Sequence, residues 1–183
     1  MPLSDAELLR RAQEADKHAL GEIYDTYSQR VYVYAYRLSG EATLAQEVMA
    51  ETFYRFLLAL RAGGGPREHL AAYLFRVAHN LIADHYRKRS RTELSLDESL
   101  VADTADPDDE MAEAHAQARA RAALWQLTPE QRQVITLKYL EGLSNEEVAV
   151  TLDKPVGAVK SLQSRALAAL RRVLSKETEG ALR

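Results

Sequence analysis

The side chains with the most chemical meaning cluster near one end of the chain. Lys160, Ser161, Ser164 and Arg165 stand close together, with Lys154 ahead of them and Arg171 and Arg172 behind. Short hydroxyl and cationic side chains of this kind can reach base edges and phosphates. Val159, Leu162, Ala166, Leu170 and Val173 recur at three-to-four-residue spacing and define the inward face of one helix. That face turns the polar four outward, on the N-terminal half of the helix. In a DNA-binding helix-turn-helix this half enters the major groove. A solvated basic face is the other reading that spacing alone allows.

Other chemistries fit poorly. Glu47 and Glu51 lie one helical turn apart, as a general acid/base pair could, but no nucleophile, base or phosphate-cradling loop converges with them. His18, His69, His79, His85 and His115 are scattered without the spacing of a helical metal site. "HNLIADHY" has only a chance likeness to a phosphohydrolase metal motif. The chain has no cysteine, which removes disulfides, Fe–S clusters and thiolate zinc sites. The expectation is a protein that is not an enzyme, with no catalytic residue, metal, cofactor or small-molecule substrate.

The elements that must position the polar four are helical. Nothing alternates with period two over a useful length, and the expected fold class is all-α. Ser4 with Glu7 reads as a capping box opening a first helix. A second spans Lys17 to Leu38, with Leu20, Ile23, Tyr24, Tyr27, Val31, Tyr34, Ala35 and Leu38 inward and Gly40 as its stop. A third covers Ala42 to Leu60, with Leu44, Val48, Phe53, Phe56, Leu57 and Leu60 on one side. After "GGGP" a fourth is predicted to start with Pro66 near its first turn and to run to about Arg89. Farther on, Leu124, Trp125 and Leu127 lead into a helix with Thr128, Pro129 and Gln131 at its start and Val134, Ile135, Leu137 and Leu140 in its core. Ser144 with Glu147 opens another helix, Asp153 to Pro155 is the turn, and the last helix runs from Val156 to about Leu174.

Charge divides the 183 residues as clearly as periodicity does, although the net value is only −3. "HYRKRSR", His85 to Arg91, is densely basic, and "TELSLDESLVADTADPDDEMAE", Thr92 to Glu113, carries no Lys or Arg. Few apolar residues, Pro107 and like-charge repulsion predict an extended, mobile linker there. The expected organisation is a helical bundle over 1–91, an acidic linker over 92–113, a helix-turn-helix domain over 114–176 and a tail over 177–183. No apolar run reaches the ~18–20 residues needed to cross a bilayer. The N-terminus lacks the basic and apolar segments of a signal peptide, so a cytoplasmic protein is expected.

Two blocks carry a resemblance. "LTPEQRQVITLKYLEGLSNEEVAVTLDKPVGAVKSLQSRALAALRRVL" resembles region 4 of bacterial RNA polymerase sigma factors of the extracytoplasmic-function (ECF) type. Leu127, Glu130, Arg132, Val134, Ser144, Glu147, Val148, Ala149, Gly157, Val159, Lys160 and Ser161 match that family's pattern. Independently, "LAQEVMAETFYRFL" and "AAYLFRVAHNLIADHYRKRSR" are similar to its region 2. There Ala45, Glu47, Glu51, Thr52, Phe53, Leu74, Arg76, Ala78, Asn80, Asp84, Arg87 and Arg91 correspond. Ala50 replaces the usual Gln, Tyr73 the usual Trp, Asp153 the usual turn Gly, and Leu162 an Arg; the periodicity places Leu162 in the core.

The resemblance implies a factor that binds core RNA polymerase, selects promoters and assists melting for transcription initiation. Lys160, Ser161, Ser164 and Arg165 would face the major groove of the −35 element, with Lys154, Arg171 and Arg172 on the DNA backbone. Tyr73, Arg76, Asn80, Asp84, Arg87, Lys88 and Arg91 would serve the −10 element, where strands separate, and Tyr86 could stack on unpaired bases. Phe75 and most of "YDTYSQRVYVYAYRL" read as core. Glu47, Glu51 and Phe53 would belong to the polymerase docking surface. The loop Gly63 to Pro66 sits where the family captures an extruded base, and is equally a plain helix connection. The acidic linker would lie in polymerase's RNA channel. An anti-sigma factor, sometimes at a membrane, is the implied regulator. The rival reading is a polymerase-independent helix-turn-helix regulator; no dimer interface or effector pocket is visible for it.

Overall fold

The computed structural model describes residues 4–181 apart from 93–118, with side chains for 4–90 and 119–175. The described residues form α1 (Asp5–Gln13), α2 (Lys17–Ser39), α3 (Ala42–Arg61), α4 (Leu70–Thr92), α5 over 119–125, α6 (Pro129–Ile135), a π-helical turn (Thr136–Leu140), α7 (Asn145–Leu152) and α8 (Val156–Ala181). Apart from Thr92, the acidic linker lies outside the described residues.

The N-terminal four helices enclose a core built by the faces the periodicity selects. Ile23, Val31, Tyr34, Phe56, Leu74 and Phe75 are essentially without solvent exposure. Tyr34 meets Phe75 edge-on at 5.2 Å, an arrangement that favours the positive ring edge over the negative face. Asp16 caps α2 by accepting from the His18 and Ala19 amides, and Gly40 ends it at φ 74°, a conformation without cost only for glycine. Tyr24 departs from the expected inward face and is 45% exposed.

Three predicted starts and stops are corrected. Ser4 accepts from the Glu7 amide, but the Glu7 carboxylate turns to Arg10 instead of closing a capping box. Pro66 does not start α4: it is buried in the connection, where its carbonyl accepts from Gln13 at 2.9 Å. His69 has φ 54°, which no helix can include, so α4 begins at Leu70. At the other end α8 runs past Leu174 to Ala181, since the stretch from Ser175 to Glu179 holds neither Gly nor Pro and Gly180 stands only at its last turn.

The C-terminal helices start as their sequence signals predict, with reciprocal capping boxes at Thr128/Gln131 and Ser144/Glu147 and Pro129 in the first turn of α6. The π-helical turn alters the side-chain register. The Glu141 amide reaches back five residues to the Thr136 carbonyl at 2.9 Å, a wider turn than an α-helix makes. Leu137 therefore stays buried, while Leu140, expected in the core, is 46% exposed.

The two groups of helices share a core. Leu137, Leu143, Val148 and Leu152 join the cluster built by the N-terminal bundle. Packing of α7 on α4 is pinned by Thr151, whose hydroxyl donates to the Ala72 carbonyl at 3.3 Å. Trp125 lies over Gly40, so close that a Cβ there would stand 3.0 Å from its ring.

Candidate nucleic-acid interface

The polar four on α8 are placed by the turn before it. Asp153 adopts the left-handed conformation, φ 51° and ψ 48°, and reverses the chain after α7. The Lys154 amide then bonds the Ala149 carbonyl, and the Pro155 carbonyl receives the Ala158 and Val159 amides to start α8. Val159, Leu162 and Ala166 are buried, and that fixes the rotation of the helix. Lys160, Ser161, Ser164 and Arg165 all face solvent. Arg165 folds back so that its Nε donates to the Ser161 carbonyl at 3.4 Å. Arg171 and Arg172 are exposed a turn and a half beyond. Lys154 differs from the rest: its ammonium is 2.9 Å from the Glu130 carboxylate, tying the turn to α6.

On α4 the predicted residues form a line, because positions 73, 76, 80, 84, 87 and 91 step by three or four along one face. At 1.5 Å per residue the line is ~27 Å long. Arg76, Asn80, Arg87 and Lys88 have exposed side chains. Asp84 pairs with Arg87, which neutralises the middle of the line. Tyr73 is half-buried, its ring 6.1 Å from Phe56, and burial pushes its phenol upward from the usual range. Tyr86 donates to the Ser39 carbonyl at 3.4 Å, and Phe75 is fully buried. Only the backbone of Arg91 is described.

A groove lies between α2 and α3. It has a volume of about 640 Å³ and is lined mainly by apolar side chains, among them Leu20, Tyr24, Met49, Phe53, Tyr54 and Leu57. Tyr54 and Leu57 stand out from its rim, 57% and 40% exposed. Phe53 is its floor: the ring is 7% exposed and meets Tyr24 edge-on at 4.9 Å. Ala50 also lines the groove, with no polar group to offer. Glu47 is exposed, and Glu51 is held by Arg55 at 2.7 Å.

Sequence reading missed two charged sites inside the fold. Arg132 is 6% exposed; its guanidinium donates to the carbonyls of Leu124, Trp125 and Leu127 and stacks 3.8 Å from the Trp125 ring centroid. Glu141 is buried between Arg30 and Arg37 of α2. Its partners lie 111 and 104 positions away in the chain, so no local pattern announces the site.

Known proteins match in both halves. The family Sigma-70 region 2 matches residues 23–92, and Sigma-70, region 4 matches residues 117–170. The ECF RNA polymerase sigma factor BldN of Streptomyces coelicolor is 38% identical over 172 residues, 92% of this chain and 65% of that one. SigL of Mycobacterium tuberculosis is 34% identical over 167 residues, 90% of this chain and 94% of that one. Among solved structures, CnrH in complex with the cytosolic domain of CnrY superimposes with a TM-score of 0.69 at 26% identity, covering 94% of this chain and 97% of that one. The sigma factor RpoE in complex with the anti-sigma factor NepR from Bartonella quintana has the same fold, with a TM-score of 0.70 at 24% identity, covering 83% and 94%.

Proposed function

The chain belongs to the sigma-70 family of transcription initiation factors and to its ECF type, and from that premise we propose that it binds core RNA polymerase, directs it to promoters through −35 and −10 elements, and assists melting. The observation that carries the reading is the rotation of α8. Burial of Val159, Leu162 and Ala166 leaves Lys160, Ser161, Ser164 and Arg165 facing solvent together on the half of the helix that can enter a major groove. Arg171 and Arg172 supply phosphate contacts farther along.

The line on α4 suits separated strands better than duplex. Asn80 can donate to and accept from a base edge, Arg76, Arg87, Lys88 and Arg91 follow phosphates, and the Asp84–Arg87 pair limits non-specific attraction. Tyr73 offers part of a ring for stacking, a contact worth about 1–3 kcal/mol where it forms. The α2–α3 groove, with Phe53 as floor and Glu47 and Glu51 near its edge, is the proposed seat for polymerase. Burying the rim residues Tyr54 and Leu57 there supplies apolar contact that polar recognition alone does not.

The domain division is proposed as read from the sequence: a region 2 bundle over 1–91, a linker over 92–113 and a region 4 domain over 114–176. Among the described residues no helix is long and apolar enough to cross a membrane. A cytoplasmic site of action is proposed, with an anti-sigma factor as the resting partner, on the likeness to CnrH and its complex with CnrY.

The test is co-elution of the purified chain with core polymerase from its host, followed by mapping of protected and melted promoter fragments. Stable association and opened promoters support the proposal and give the DNA motif. Tight operator binding without polymerase would replace it with a self-sufficient helix-turn-helix regulator.

A further inference from the structure

The contact between the two groups of helices contains a charge arrangement that the promoter reading does not use. Glu141 follows the π-helical turn, and only 4% of its side chain is exposed. Arg30 Nε donates to one carboxylate oxygen at 3.2 Å and its Nη2 to the Glu141 carbonyl at 2.9 Å. Arg37 approaches the other oxygen at 3.5 Å. Arg30 is itself held in place, with its guanidinium 4.9 Å from the Tyr27 ring centroid and 5.6 Å from that of Phe75. The bundle thus presents two cations, and the C-terminal group inserts one anion between them.

A buried carboxylate between arginines does not by itself favour contact, because removing it from water can cost more than pairing returns. Here burial pushes the Glu141 carboxyl upward against the opposing pull of Arg30 and Arg37. The asymmetry gives the arrangement its use. With both arginines in place the charge is tolerated, but without them the closed contact holds an uncompensated buried anion.

We propose that Glu141, clasped by Arg30 and Arg37, is a charge-conditional catch: the C-terminal helices stay closed on the bundle only while both arginines neutralise it. The catch lies outside the α4 and α8 lines, yet it sets how those lines are placed relative to each other. Its value to promoter binding rests on the sigma reading; its existence does not.

The test uses the full chain, which has no cysteine of its own. Thr43→Cys on α3 and Ala168→Cys on α8, both at exposed positions, carry spin labels for distance measurement without polymerase or DNA. The parent chain should give one narrow, short distance. Arg30→Gln with Arg37→Gln should broaden and lengthen it, shifting the closed-to-open ratio by about tenfold. Adding Glu141→Gln should restore the narrow distance, and Glu141→Gln alone should keep it. If the double arginine variant loses helix content by circular dichroism, Arg37→Gln alone carries the same comparison, since it leaves the Arg30 stacking intact. A distance that stays narrow without the arginines, or that Glu141→Gln fails to restore, overturns the catch. So does a parent chain with a broad, long distribution. None of these outcomes depends on whether the chain binds polymerase, so failure of the catch and failure of the sigma reading remain separate.

Discussion

The helices α4 and α8 do the same structural job with different materials. Both are long, both bury one face and offer the other to solvent. Beneath α4 lie Leu70, Leu74, Phe75, Ala78 and Ile82 in a core with two tyrosines and two other phenylalanines. Beneath α8 the fully buried residues are Val159, Leu162 and Ala166, and the satellite cluster of its own group consists of Leu127, Ile135 and Ala166. Large rings of the bundle fix most of α4, and α7 adds one contact pinned by Thr151 on the Ala72 carbonyl. The C-terminal group is thinner, and it completes its packing partly through Leu137, Leu143, Val148 and Leu152 against the bundle. A small domain buries less of its surface and so has less stability to spare, which explains why it leans on its neighbour.

The comparison is broken most directly in the bundle core. Phe56→Ala removes a ring that is 1% exposed and should cost about 3–5 kcal/mol, read by chemical denaturation. If the bundle is the self-sufficient half, the C-terminal group should loosen in the same variant. An intact C-terminal signal after the bundle has melted would show that the two halves stand independently. Trp125 is the only tryptophan and its ring lies over Gly40 of the bundle, so its emission reports when the two halves part, while circular dichroism follows the melting of the helices.

Arg132→Ala tests the other half. It deletes a guanidinium that satisfies three carbonyls and stacks on Trp125, leaving those acceptors without their donor. Burial alone lowers the Arg132 pKa, but its carbonyl partners keep the charge useful. The expected loss is about 2 kcal/mol, confined to the C-terminal transition and visible as a shift of Trp125 emission. Arg132→Lys should recover less than half of it, because an ammonium cannot bridge three carbonyls while stacking flat. A variant with unchanged stability would make the cluster decorative.

What was legible in the sequence follows the same divide. Helices and most of their inward faces could be read because periodicity is a local property, and capping boxes at Thr128 and Ser144 because their partners are three residues away. The outward placement of Lys160, Ser161, Ser164 and Arg165 was legible for the same reason. Pro66 was misread because its type suits a first helical turn, whereas His69 in the left-handed region decides where α4 can begin. Leu140 was misread because a π-helical turn shifts register without a residue that marks it. Glu141 was invisible as an interior charge since its partners are brought together by the fold, and Arg132 since its carbonyl acceptors, five to eight positions away, belong to no capping or periodic pattern.

The two solvent-facing lines should separate in function. Arg165→Ala and Lys160→Ala should weaken binding to duplex −35 DNA by the polymerase complex, about 1–3 kcal/mol where a base contact is lost. A contact only to phosphate should instead lower the salt slope by about 1 with little change in sequence preference. Asn80→Ala should leave duplex binding alone and reduce opening, read by reactivity of unpaired thymines. Equal effects of Asn80→Ala and Arg165→Ala on closed-complex binding would erase the proposed division of labour.

The smallest effects belong to the two left-handed helix ends, one in each half. Gly40 ends α2 at φ 74°, and Asp153 ends α7 at φ 51°. A side chain in this conformation costs about 1 kcal/mol, somewhat less for Asp and Asn, whose polar groups can bond locally. Asp153→Gly should therefore stabilise the C-terminal group by a few tenths to about 1 kcal/mol, since that strain outweighs the entropy a glycine adds to the unfolded chain. Gly40→Ala should destabilise by more than that gain, because its Cβ meets both the backbone penalty and the Trp125 ring at 3.0 Å. Denaturation midpoints moving in opposite directions would support this account. If Asp153→Gly destabilises instead, the aspartate carboxylate contributes to the turn something that its backbone angles do not reveal, and the departure from glycine at this position is favourable rather than merely tolerated.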